Sequence, residues 1–587
     1  MTDSAGPPST PGVSRVRELA GALLAYLMLA FIFTWSAWDD PTNRWIGICC
    51  DQQQSIWFLA WSPTALELGQ TPLLTDRLNA PDGANLMWNG SSPLVALLFA
   101  PLTRAVGPIL TYNIAVVAAI ALSGLACFAA LRRYTEGPLG PLVGGGLYAL
   151  SPYVASHTAL HLNLINVWAP PVFLIILDEL VVRRRYRPEV LGVALGIVGA
   201  LQLLTFEEVL ATSAVAGALL TLVLAVVVRQ RSAILASTRR MLRAALPGLV
   251  AFLLIGGYPL AVQFLGPQQI HGAVQDTALF STDLLNVILP TPYQLLAPES
   301  VTSVSRHFSG LYHEATGYIG LPLLVVLGWV VADRRGDPRV LVAAAMGLLM
   351  LVLSLGPELH VGGESWDVPM PWLPIGSLPL IEHALPGRLT LYMWFAVAVM
   401  VAMAVDHAAA LDLRRAGVRL AAIGLALVFV LPAPASSSTA PVPPFFAAWK
   451  QQGIADDEII LFAPWFTNGA GADPMLWAAV AEARPRMYEG YVYVPGADGR
   501  PRYGPSPGRL AELMVQVQDH GVRTDLSAAD RTAAVQELID VGVSVVIVGP
   551  LRYREEMIDL FTDLIGQPPI ETGGVQLWRN VQAAIAR

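Results

Sequence analysis

Lysine is almost absent from this sequence of 587 residues, occurring once, at Lys450. Trp449 precedes it rather than glycine, so there is no Gly-Lys-Ser/Thr phosphate loop, and Walker-type nucleotide hydrolysis is excluded. Charge of either sign is scarce: 14% of residues carry it, against about 25% in an ordinary soluble domain. The net charge is −8, and no basic patch stands out beyond short arginine runs. That excludes a nucleic-acid binder. Cysteine occurs three times, at Cys49, Cys50 and Cys127, too few for a disulfide scaffold or a four-cysteine zinc site. The adjacent pair Cys49–Cys50 leaves a strained disulfide or a metal contact as its options. What is abundant is apolar: 54% of residues, with a mean hydropathy of +0.54. Disorder, coiled coil, collagen and a string of soluble domains are excluded, and a polytopic membrane protein remains.

A spanning helix needs about 20 mostly apolar residues. Eleven stretches qualify: 18–37, 109–131, 140–156, 163–180, 190–205, 209–228, 244–263, 318–332, 340–356, 389–405 and 418–434. The run Ser92–Ala105 is apolar but short and interrupted by Pro93 and Pro101, so it reads as a surface helix. Arginine sets the orientation. With the N-terminus in the cytoplasm, the inner segments hold 19 arginines and the outer loops five: Arg44, Arg77, Arg104, Arg306 and Arg388. Counting Ser92–Ala105 as a span would reverse every later loop and spoil that asymmetry. The first span follows Arg15 and Arg17 and reads as a signal anchor.

The expected organisation is a cytoplasmic tail (1–17), a membrane domain (18–434) with a long outer loop (38–108), a Pro/Ser/Ala linker (435–444) and a soluble-looking segment (445–587). In the last, Glu458–Trp465 and Ser544–Pro550 read as buried strands, and Gly508–His520 and Ala528–Val541 as amphipathic helices. The fold class is therefore a polytopic α-helical membrane protein of about eleven spans with a C-terminal extracytoplasmic α/β domain.

The spans are nearly free of charge, so no buried ion path is visible. Polar residues gather at the outer ends instead. Asp51 opens the stretch DQQQSIWFLAW, read as an amphipathic surface helix, and is either its N-cap or a general base. Asp39 and Asp40 leave the first span directly and compete for that role. Glu207 and Glu208 sit at a tight turn between two spans, where desolvation is costly. His161 precedes one span, Glu314 another, and Arg388 opens a third. A guanidinium there suits bidentate contact with phosphate.

A first span, a long loop with an early Asp, many further spans and a terminal α/β part together resemble the GT-C superfamily of membrane glycosyltransferases. More narrowly, the chain is similar to a family of actinobacterial membrane proteins. The matching stretches are WFLAW (Trp57–Trp61), NAPDGANLMW (Asn79–Trp88), SSPL (Ser91–Leu94), HLNL (His161–Leu164), EEVL (Glu207–Leu210), GYIGLPL (Gly317–Leu323), PGRLTL (Pro386–Leu391), EGYVYVPG (Glu489–Gly496) and GGVQLWR (Gly573–Arg579). The resemblance implies a bacterial plasma-membrane enzyme. It would transfer a sugar from a polyprenyl-phosphate donor, at the outer face, to an envelope glycan, lipid or protein, with neither nucleotide nor nucleic acid as partner. The family's early catalytic carboxylate carries over to Asp51, or to Asp39 or Asp40.

On that reading the enzyme inverts, with Asp51 as base. Arg388, with His161, neutralises the departing phosphate. Asp39, Asp40, Glu207, Glu208 and Glu314 bind substrate, and the C-terminal domain grips the acceptor. No metal ligand is assigned: Gln52 follows Asp51 where a metal-binding variant would carry a second acid, so a divalent metal stays an open alternative. Two rival readings remain, a transporter of lipid-linked sugars and a non-catalytic scaffold for envelope assembly.

Overall fold

The computed structural model of the chain describes residues 11–228, 231–378, 380–467, 471–505, 507–522 and 526–587. Residues 1–10 of the expected tail and Arg229 of the arginine count lie outside the described residues. Helix occupies most of every expected span. Among the described residues, six helices are long and apolar enough to cross a membrane: Arg15–Phe33, Pro108–Leu131, Leu162–Arg183, Glu207–Val227, Leu235–Leu265 and Pro386–Ala409. The other five positions carry shorter helices. Pro188–Leu203, Leu321–Asp333, Pro338–Ser354 and Leu413–Val428 have 16, 13, 17 and 16 residues. The stretch 140–156 is broken into Leu139–Ala149 and Pro152–Thr158. Pro152 brings no N–H to continue the first helix, and the Ser151 hydroxyl accepts from the Val154 amide to start the second.

Glycine lets these helices approach closely. Gly192 and Gly196, four residues apart on Pro188–Leu203, lie against the backbone of the long helix Arg231–Leu265. A Cβ at Gly196 would stand 2.1 Å from the Gly248 carbonyl oxygen, and one at Gly192 equally close to that of Ala244. Gly140 and Gly144 do the same against Ala402 and Ala398 of Thr390–Ala409. In a lipid medium, where apolar burial gives helices little reason to associate, close backbone packing of small residues drives the contact. Thr390–Ala409 is buried over nearly its whole circumference, with Trp394 fully enclosed.

The loop 38–108 is ordered throughout. Its central helix, Asp51–Glu67, is not the amphipathic surface helix expected: residues from Gln52 to Ala65 are buried almost all round, and Trp57 and Trp61 stack at 5.7 Å. The cover comes from both sides, from the helix Pro93–Val106 and from the C-terminal helix Asp473–Val480. Pro93–Val106 is 14 residues long and packs on the loop, as a surface helix should.

The C-terminal residues contain a five-stranded sheet in the order Ile570–Thr572, Val575–Arg579, Val543–Val548, Ile459–Ala463, Arg486–Met487. The strands Ile459–Ala463 and Val543–Val548 are parallel neighbours and wholly or nearly wholly buried, so both read as continuous apolar runs. Helices Arg509–His520, Ala528–Val541 and Arg554–Ile565 pack beside them. The expected linker is not free. Its residues Ser437–Thr439 pair antiparallel with Arg44–Ile46 of the first loop.

The glycine contacts yield a test. Gly196→Val places a branched side chain where the Gly248 carbonyl stands. Overpacking of this kind costs about 1–3 kcal/mol. The melting midpoint of the purified protein in nanodiscs should drop accordingly, whereas Gly336→Ala, which meets nothing within 4 Å, should leave it in place.

Candidate functional site

Five short segments bring their polar residues to one place. Asp51 is the first residue of the buried loop helix. Cys50 caps that helix from a left-handed backbone position (φ 73°) and is disulfide-bonded to Cys49. Asp51 is therefore not the cap, and its carboxylate points elsewhere. His157 ends the helix Pro152–Thr158, and His161 lies one turn further, its amide donating to the His157 carbonyl at 2.7 Å. Glu314 closes the turn Tyr312–Glu314, which is tied to the same helix by the Ser156 hydroxyl donating to the His313 carbonyl at 2.6 Å. Glu208 is second in the helix Glu207–Val228. Arg388 lies in the turn Pro386–Leu389 that leads into Thr390–Ala409.

The contacts run in a continuous chain. The Tyr491 hydroxyl donates to Asp51 Oδ1 at 2.6 Å. Asp51 Oδ2 lies 3.0 Å from His161 Nε2. The Nδ1 atoms of His161 and His157 are 3.3 Å apart. His157 Nε2 and His161 Nδ1 face Glu314 at 3.7 and 4.0 Å. Arg388 then grips Glu314 with two donors, Nη2 at 2.7 Å and Nε at 3.2 Å. Its Nη1 pairs with Glu208, whose other oxygen accepts the Leu385 amide at 2.9 Å. The chain has an open and a closed end. Asp51 and His161 keep 21% and 18% of their side-chain surface, while Glu314 and Glu208 keep 8% and 9%. A substrate therefore meets Asp51 and His161 first.

Proton placement follows from the donors. With His161 Nε2–H donating to Asp51, a neutral His161 offers its Nδ1 lone pair to His157 Nδ1–H. His157 Nε2 is then an acceptor turned toward a carboxylate, and it is buried without a hydrogen-bond partner among the described residues. Two facing acceptors need a proton or a cation between them. Three carboxylates (Asp51, Glu208, Glu314) against one guanidinium leave the cluster net negative, which favours a cation. One ligand atom each from His157, His161 and Glu314 lie within 4.8 Å of one another. These three, once the His157–His161 hydrogen bond gives way to free the His161 Nδ1 lone pair, would hold a divalent ion of the kind imidazole and carboxylate suit.

Burial pushes the His157 imidazole down to about 3, against the opposing pull of Glu314. It lowers His313, hydrogen-bonded to the Tyr293 hydroxyl, to about 4. Burial acts to raise the Glu314 carboxyl, but Arg388 and the two histidines outweigh it and hold Glu314 well below the usual carboxylate range.

The structure thus brings together Asp51, His161, Glu208, Glu314 and Arg388. It leaves Asp39 and Asp40 apart: both are exposed, and Asp40 accepts from Asn43 at 2.9 Å and from Thr42 at 3.2 Å in a local turn. Glu207 enters none of the ion pairs among the described residues. The charge of Arg388 is matched by two carboxylates, Glu208 and Glu314, as a buried guanidinium requires, and the pairing ties their segments together. Two participants were not singled out from sequence. His157 carried a signal, its spacing of four from His161, which places both on one side of a helical turn. Tyr491 carried none, since 440 residues separate it from Asp51.

The two buried histidines make stability depend on pH. Histidine in an unfolded chain ionises near 6.5. With folded values of about 3 and about 4, the unfolded state binds more protons below that point, and stability falls as pH drops. With a chelator present, the melting midpoint should decrease from pH 7 to pH 5, and His157→Gln should flatten part of the decrease. An unchanged slope in the variant would contradict a neutral, buried His157.

Solved structures resemble the chain. It is similar to the arabinofuranosyltransferase AftD from Mycobacteria, with a TM-score of 0.53 and 14% identity over 96% of this chain and 40% of that one. It is also similar to the archaeal oligosaccharyltransferase AglB from Archaeoglobus fulgidus, solved with an inhibitory peptide and a dolichol-phosphate. There the TM-score is 0.50 and the identity 11%, over 94% of this chain and 71% of that one. At such identities the likeness is one of fold, that of membrane glycosyltransferases, and the chain spans only two-fifths of AftD. No curated protein matches it by sequence. The family described as "Domain of unknown function (DUF6311)" matches residues 22–431, more than half of the chain, and to that family this protein belongs.

Proposed function

We propose that the protein is an inverting glycosyltransferase of the bacterial plasma membrane, using a polyprenyl-phosphate sugar as donor and an envelope molecule as acceptor. One observation carries the reading: Asp51 stands at the open end of a buried charge network, one oxygen fixed by Tyr491 and the other by His161. A carboxylate has about four lone-pair sites, and two hydrogen bonds leave room to accept a proton. The acceptor O–H gives its proton to Asp51 as its oxygen bonds to the anomeric carbon. The bond from that carbon to the phosphate oxygen breaks, and polyprenyl phosphate leaves with the electron pair. His161 holds Asp51 in position and passes charge toward His157. Arg388 holds Glu208 and Glu314, so that the negative wall behind the histidines keeps its shape. When bound by His157, His161 and Glu314, a divalent cation would supply positive charge for the leaving phosphate.

The transporter reading is less well supported. Such transporters are commonly built from internal repeats with polar residues at mid-membrane, and the sequence shows neither an internal repeat nor a run of charge within its apolar stretches.

Asp51→Asn keeps volume and hydrogen-bond capacity but removes basicity. Consumption of a polyprenyl-phosphate sugar by the protein in nanodiscs should fall by about 10²–10⁴, the usual worth of a positioned base, with folded protein retained. The double change Asp39→Asn/Asp40→Asn should cost far less. If the double variant is the dead one, the base has been misassigned. If none of the three changes matters, the enzyme reading fails in favour of a scaffold.

We also propose that the site and residues 445–587 face away from the cytoplasm, supported by 19 arginines against five. Alkaline phosphatase fused after Arg587 should be active in cells. An active cytoplasmic reporter at that point, with an inactive phosphatase, would reverse the orientation.

A further inference from the structure

Beside Asp51 lies a row of aromatic rings of which the chemistry above uses only the Tyr491 hydroxyl. Phe466 stacks on Tyr491 with ring centres 4.1 Å apart and planes at 24°. Tyr491 meets Tyr503 at 5.0 Å, and Tyr503 stacks on Tyr493 at 4.3 Å and 29°. All four come from the C-terminal residues. Tyr493 and Tyr503 face each other across the hairpin Tyr493–Pro495/Pro501–Tyr503, and Phe466 follows the strand Ile459–Ala463.

The row is not a piece of core. By contrast, Phe446, Phe462 and Trp477 in these residues are 0% exposed. Phe466, Tyr491, Tyr493 and Tyr503 all keep exposed surface. They are nevertheless held firmly. Tyr493 exchanges two backbone hydrogen bonds with the Asn89 side chain, at 2.6 and 3.0 Å. Gln54 donates to the Tyr491 carbonyl, and Gln275 donates to the Tyr493 hydroxyl. The hydroxyls of Tyr493 and Tyr503 bond to each other. At the inner end of the row the Tyr491 hydroxyl reaches the base itself.

A rigid, half-exposed row of phenol rings ending at a carboxylate suits one kind of molecule. A sugar ring has an apolar C–H face to lay on an aromatic plane and a rim of hydroxyls to meet phenol and amide groups. An alkyl tail could meet the ring planes but would offer no hydrogen bond to the phenol hydroxyls at their edges. We infer that this row is the acceptor subsite and that the acceptor is a glycan, one ring lying on the Phe466–Tyr503 surface with a hydroxyl directed to Asp51. The inference rests on the transferase reading and narrows it to glycan extension.

The test uses the full chain in nanodiscs and three linear hexasaccharides as probes: an α-1,6-mannan, an α-1,5-arabinan and a β-1,4-glucan. Saturation-transfer NMR should show at least one of them bound through its ring C–H protons. Phe466→Ala and Tyr503→Ala should each weaken that probe about tenfold, as expected for an aromatic contact worth somewhat over 1 kcal/mol. Tyr503→Phe, which keeps the ring, should restore most of the affinity. The subsite is overturned if no hexasaccharide receives saturation, if both alanine variants bind as the parent does, or if sugar is transferred only to a peptide or a lipid. Failure of the two readings can be told apart. Donor cleavage without glycan binding rejects the subsite alone. Glycan binding that depends on the rings, with no donor cleavage, supports the subsite and rejects the transferase.

Discussion

The guanidinium of Arg388 is the constraint on which the site depends. It joins the start of one long helix, Thr390–Ala409, to the start of another, Glu207–Val228, and to the turn that carries Glu314. None of these charges is affordable alone at such depth, since an unpaired buried ion costs several kcal/mol. Together they are stable only in one arrangement, so the pairing fixes the relative positions of three segments far apart in sequence. Glu314 is thereby presented to the two histidines, and through His161 the geometry reaches Asp51. The order of the chain runs from a closed ionic anchor to a half-open carboxylate.

The second constraint is the cover over the loop helix. Asp51–Glu67 is buried because residues 473–493 lie on it: Gln53 donates to Asp473 at 2.6 Å, and Thr64 donates to the Glu482 carbonyl at 2.6 Å. Without that cover, Trp57 and Trp61 would face solvent or lipid and the backbone holding Asp51 would be free to move. The C-terminal part is thus a wall of the site and not an appendage.

Much of this was legible in the sequence, for identifiable reasons. Helix positions followed from apolar runs, and the strands Ile459–Ala463 and Val543–Val548 from runs too short for helices. Asp51, His161, Glu208, Glu314 and Arg388 stood out because a polar residue at the end of an apolar run has few inexpensive places to go. Other features depend on contacts that no local pattern encodes. Ile56, Trp57 and Trp61 looked like one face of a surface helix because the residues covering the other face lie more than 400 positions later. Arg388 looked like a free cation because its partners are 180 and 74 residues away. Crossing number was the least legible, since several packed helices are shorter than a bilayer and apolar content alone does not give their length.

The clasp between Arg44–Ile46 and Ser437–Thr439 bears on how the protein is made. Arg44 and its partner Ser437 are 393 residues apart, with the whole helical bundle between them. During synthesis the first loop emerges long before the strand that closes it, 393 residues later, and before the residues that roof its helix. In that interval the loop helix carries an uncovered apolar surface, the kind of transient exposure that invites aggregation or chaperone capture. Assembly of the surroundings of Asp51 cannot proceed in sequence order. It is a late, concerted event, and truncation anywhere before residue 437 leaves Asp51 on an unfinished loop, however well the bundle has inserted.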